Sequence, residues 1–67
     1  MEKVMNRSYL NELGRFECEG VQFTSGDVVE VFDDGEWKVT RIEYSDSQGG
    51  YYSVDGYELL GRPLRAA

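Results

Sequence analysis

Sixty-seven residues suffice for one small domain, and a chain of that length buries only about 60% of the surface it exposes when unfolded. Seven Lys and Arg stand against thirteen Asp and Glu, for a net charge of −6, and there is no histidine. This composition excludes an internal disulfide, because Cys18 is alone. It also excludes any histidine-assisted nucleophile and speaks against a surface that attracts nucleic-acid phosphates or anionic lipid.

Along the chain, a first strand is expected over part of residues 4–10, ahead of an Asn11-Glu-Leu-Gly14 turn. Met5, Tyr9 and Leu13 also fall at helical spacing, so a short N-terminal helix competes with that strand. The opening residues lack the apolar stretch of a signal peptide, and no run approaches the roughly 20 apolar residues that span a bilayer. The expected protein is therefore soluble and cytoplasmic, with Cys18 serving as a small buried hydrophobe in a reducing compartment.

Residues 15–18 and 21–23 read as strands around a Glu19-Gly20 reversal, and residues 24–27 as a loop. The strongest local signal follows. Runs of β-branched and aromatic residues flank Asp33-Asp34-Gly35 within 28–44, the pattern of a β-hairpin. Residues 45–50 read as a loop and 51–54 as a strand. Asp55-Gly56 turns the chain into a strand at 57–60, and 61–64 form a terminal turn, where Pro63 is barred from a central strand. The whole is expected to be a single all-β domain over 1–67, a small antiparallel SH3-like barrel of five to six short strands.

The hairpin register follows from keeping one apolar face. If Asp33 and Asp34 form a type I turn and Gly35 a G1 bulge, the three-residue loop sets Val31 opposite Trp37 and Val29 opposite Val39. A two-residue loop splits that face, so the bulged loop is expected. The core is then Val29, Val31, Trp37 and Val39, joined by Phe16, Cys18, Phe23, Ile42, Val54 and Leu59.

No constellation for catalysis, metal or cofactor is visible. One cysteine and scattered carboxylates lack ligand spacing. Residues 46–50 superficially suggest a calcium loop, but Tyr51 and Tyr57 stand where an EF-hand needs glycine and glutamate. The glycines form no phosphate-cradling motif. Trp37, Tyr44, Tyr51, Tyr52 and Tyr57 admit three readings: core and rim residues, a cation cage, or a base-stacking platform. The charge pattern is sharper. From Glu17 to Glu58 eleven acidic side chains face only Lys38 and Arg41, a distribution suited to a basic protein surface.

Residues 26–46, and within them the run Gly-Glu-Trp-Lys-Val-Thr-Arg-Ile-Glu-Tyr-Ser-Asp at 35–46, resemble a short domain-of-unknown-function family. Tyr51-Tyr52, Leu59-Leu60-Gly61 and the Asn11–Phe16 turn extend the resemblance. Members of that family occur in Firmicutes, often on phages and other mobile elements, and carry no assigned activity. The Asp34-Gly35-Glu36-Trp37 step is more weakly similar to Tudor modules.

The resemblance and the charge together imply a non-enzymatic acidic protein that binds a basic protein surface. Its most concrete form is an anti-CRISPR-like inhibitor, a DNA mimic blocking the DNA-binding surface of a host nuclease. The expected contact residues are Glu30, Asp33, Asp34, Glu36, Glu43 and Asp46, with Tyr44 and Tyr52. No direct contact with nucleic acid or membrane is expected. The alternatives are a Tudor- or SH3-like reader of a peptide or single-stranded nucleic acid, acting through Trp37 and the tyrosines, and a module that dimerises through an exposed edge strand.

Overall fold

The computed structural model describes residues 6–67. Seven strands follow in order: β1 (Tyr9–Leu10), β2 (Phe16–Cys18), β3 (Val21–Phe23), β4 (Val28–Asp33), β5 (Glu36–Ser45), β6 (Gly50–Ser53) and β7 (Leu64–Ala66). They form an antiparallel three-stranded sheet, β1-β2-β3, and an antiparallel four-stranded sheet of order β6-β5-β4-β7. The fold is all-β and barrel-like, as the turn spacing implies. Its strand count exceeds the expected five to six by the very short β1 and by β7. The expected strand over residues 4–10 survives as Tyr9–Leu10, with residues 1–5 outside the described part, and residues 6–13 hold no helix.

The tight reversals are local chemistry. Asp34 and Gly35 take φ of 52° and 76°, and Glu19 and Gly20 take 51° and 81°. Two consecutive left-handed residues define a type I′ turn, which matches strand twist and favours Asn or Asp before Gly. Asn11 organises its own turn: its backbone oxygen accepts from the Gly14 N–H at 2.9 Å, and its side-chain oxygen accepts from the Leu13 and Arg15 N–H groups.

The two-residue Asp34-Gly35 loop overturns the expected register. Asp33 pairs with Glu36, Phe32 with Trp37, Val31 with Lys38, Glu30 with Val39 and Val29 with Thr40. Trp37 and Val39 therefore face outward and Lys38 and Thr40 stand opposite Val31 and Val29, the reverse of the bulged-loop expectation. Val29 and Val31 are fully buried, but their cross-strand partners are Thr40 and Lys38, and Val39 is 59% exposed. Trp37 is half-buried on the outer face rather than in the core.

Thr40 is accepted inside because its hydroxyl is fully used. It donates to Asp55 Oδ2 at 2.7 Å and accepts from Ser53 Oγ at 2.7 Å. Ser53 Oγ in turn accepts from the N–H groups of Asp55 and Tyr57 at 3.2 and 3.3 Å. A buried hydroxyl with its partners in place costs little, and this chain of bonds fixes the turn after β6.

The core collects Phe16, Cys18, Phe23, Val29, Val31, Ile42, Leu59 and Leu64, with Tyr51 and Tyr57 packed against it. Seven of these eight were expected. Val54 was also expected but is 45% exposed, because it lies in the turn after β6. Leu64 was not expected. Residues 57–60 form no strand, contrary to expectation; Leu59 enters the core from an irregular segment that is held by the Ser8 hydroxyl donating to the Leu59 carbonyl. The ladder position beside β4 goes to β7 instead, which pairs Leu64 with Val31 and Arg65 with Glu30. Pro63 sits just before β7, where its carbonyl accepts from the Phe32 N–H at 3.0 Å and no N–H is needed.

Candidate functional site

The register that moves Thr40 inward moves apolar surface outward. Phe32, Glu30 and Val28 of β4 share the outer face of the four-stranded sheet with Trp37, Val39, Arg41 and Glu43 of β5. Tyr52 of β6 joins them opposite Glu43, and Arg65 of β7 opposite Glu30. Val28 is 50% exposed here. Phe32 and Trp37 meet edge to face, with centroids 5.2 Å apart. The Arg65 guanidinium lies 3.9 Å from the Trp37 ring centroid, and its Nε donates to Glu30 Oε1 at 2.8 Å. Arg41 pairs with Glu43 at 2.8 Å. The result is an aromatic and aliphatic surface rimmed by ion pairs.

The hairpin tip projects beside it. Asp33 receives Lys38 Nζ at 3.0 Å and Arg62 at 3.3 Å. The Lys38 hydrogen bond, helped by the charges of Lys38 and Arg62 and opposed by partial burial, holds the Asp33 carboxyl below the usual aspartate range. The same hydrogen bond pushes Lys38 up. Asp34 and Glu36 are exposed and make no ion pair among the described residues.

Tyr44 and Asp46 lie at the far end of β5. The Tyr44 hydroxyl donates to Asp46 Oδ1 at 2.9 Å, and that carboxylate raises the phenol pKa. Tyr44 also meets Tyr51 edge to face at 5.1 Å. The hydroxyl of Tyr51 is lowered by its contacts with Thr24 and Arg15.

The eight expected contact residues therefore occupy three places. Glu30, Glu43 and Tyr52 are on the outer face, Asp33, Asp34 and Glu36 at the tip, and Tyr44 and Asp46 at the far end. Glu30, Asp33 and Glu43 are already paired with cations of this chain. The aromatics are similarly dispersed. Trp37 carries Arg65, while Tyr57 carries Lys38 Nζ at 5.7 Å from its centroid. No single cage gathers them. Sequence reasoning missed Val28, Phe32, Val39 and Arg65 as members of an exposed face; the available signal was Asp34-Gly35 read as a two-residue turn. Among the described residues no three His, Cys, Asp or Glu side chains come together in a way that could hold a metal, and no helix is long and apolar enough to cross a membrane.

The fold and this face define a small all-β domain of two antiparallel sheets whose outer face carries half-buried aromatics and exposed valines. It belongs to DUF5348, a family described as a domain of unknown function, whose model matches residues 6–66. No curated protein and no solved structure matches the chain.

Proposed function

We propose that this protein is a non-enzymatic binding module whose partner is a basic protein surface. The observation that carries the reading is the outer face of β4 and β5, where Phe32, Trp37, Val28 and Val39 gather, together with the hairpin tip, where Asp34 and Glu36 make no ion pair among the described residues. Clustered aromatics with arginine characterise protein interfaces, and exposed like charges at the margin select a partner of opposite sign. Lys38, Arg41, Arg62 and Arg65 are already engaged by carboxylates, which among the described residues leaves no basic stripe along the four-stranded sheet for a nucleic-acid backbone.

An anti-CRISPR-like inhibitor of phage or mobile-element origin, seated on the DNA-binding surface of a nuclease, is the finer version of this proposal. Its support is the acidic balance and the family resemblance. Close mimicry of phosphates draws less support than general binding to a basic surface, because Glu30, Asp33 and Glu43 are neutralised within the chain.

The test is affinity capture from the native host with the wild type, with Asp34→Lys combined with Glu36→Lys, and with Val39→Asp. A basic partner retained by the wild type and lost with both variants is the expected result. Direct retention of single-stranded DNA by the wild type at physiological ionic strength, or capture indifferent to both variants, refutes the proposal.

A further inference from the structure

We propose that the Trp37 ring and the Glu30 carboxylate form a guanidinium seat, filled by Arg65 in the free protein and taken over by an arginine of the bound partner. The inference rests on the binding-module reading and names the side chain that the outer face recognises. The seat has the two elements that a guanidinium requires: a π face 3.9 Å away and a carboxylate oxygen at 2.8 Å. Phe32 meets Trp37 edge to face, with centroids 5.2 Å apart. Trp37 thus has an aromatic contact that does not involve Arg65.

Two further observations favour exchange of the occupant. The Arg65 side chain is half exposed, at 51%, and an exposed ion pair of this kind contributes little net stability. Beside the seat, at the β7 edge, a hollow of about 300 Å³ is lined by Trp37, Arg65 and Pro63 and by a second carboxylate, Glu19. An incoming arginine thus has room to approach and a favourable charge on the way. The net charge of −6 draws the same kind of side chain.

Trp37 is the single tryptophan, so its fluorescence reports the seat directly. The full chain is titrated with a short peptide carrying one arginine, and separately with the same peptide carrying citrulline, which keeps the shape and removes the charge. Three forms are compared: wild type, Arg65→Ala, and Arg65→Ala with Glu30→Gln. Arg65→Met, which keeps the aliphatic stem, is measured alongside, and circular dichroism confirms that each form is folded.

The arginine peptide should bind the emptied seat about tenfold more tightly than the wild type, the factor expected if Arg65 fills it about nine-tenths of the time. Glu30→Gln should remove that gain, and citrulline should show none. Equal binding by wild type and both Arg65 variants, or equal binding of arginine and citrulline peptides, overturns the seat. The titration needs no natural partner. Failure of host capture with a working seat therefore rejects the module reading alone, and the reverse outcome rejects the seat alone.

Discussion

Exchanging hydroxyl and methyl, in opposite senses, at two adjacent positions of β5 reads out the register of the long hairpin. Thr40 is buried, its hydroxyl donating to Asp55 and accepting from Ser53; Val39, its neighbour, is 59% exposed. Thr40→Val keeps the volume and removes both bonds. The bond to Asp55 is charge-assisted, but Asp55 is exposed and recovers water, so its loss costs about 1 kcal/mol. The buried Ser53 hydroxyl loses its acceptor, for about another 1 kcal/mol. A loss of about 2 kcal/mol is a large share of the roughly 3–10 kcal/mol expected for a domain of this size, and it should lower Tm by about 8–16 °C. Val39→Thr, at the surface, should change stability by less than about 0.5 kcal/mol. Urea unfolding followed by Trp37 fluorescence measures both, with an unchanged m-value as the check that only stability moved. Greater damage from Val39→Thr than from Thr40→Val would refute the assigned register.

Gly35→Ala should cost about 1–2 kcal/mol in thermal or urea unfolding, since φ there is +76°. A methyl at this position meets nothing within 4 Å, so backbone strain is the whole effect. Leu64→Ala, 4% exposed and opposite Val31, should cost about 2–5 kcal/mol and speed hydrogen exchange at the Phe32 amide, which bonds to Pro63. Asp33 has a depressed folded pKa, so its contribution is present above the unfolded aspartate range and is lost as pH falls through the folded value. Asp33→Asn should therefore flatten the acid limb of the stability curve relative to wild type, and parallel curves would contradict the ion pairing. Asp34→Lys and Glu36→Lys should each leave stability within about 0.5 kcal/mol, so a binding defect in that pair is readable as an interface effect.

Much of the fold is legible from local chemistry. Glu19-Gly20 and Gly35 place left-handed residues where the chain reverses, and Asn11 builds its turn from its own side chain. The flanking β-branched and aromatic runs become strands, and Phe16, Phe23, Val29, Val31 and Ile42 enter the core. The candidate site was less legible. Its residues were chosen for charge, and charge alone does not reveal that Glu30 faces Arg65 across β4 and β7, 35 positions away in sequence, or that Asp33 meets Arg62.

The sequence by itself determined an acidic, histidine-free, all-β chain that reverses at Glu19-Gly20 and within Asp33–Gly35, because turn conformations depend on two or three neighbouring residues. Tertiary structure decided which side of β5 faces inward. Apolar alternation favoured burying Trp37 and Val39, yet a type I′ turn and the Ser53–Thr40–Asp55 hydroxyl chain turned Thr40 inward and left Val39 and Trp37 on the outer face. That outcome depends on partners more than ten residues away. It also decided that β7 would close the sheet edge and that Trp37 would meet Arg65 on the outer face.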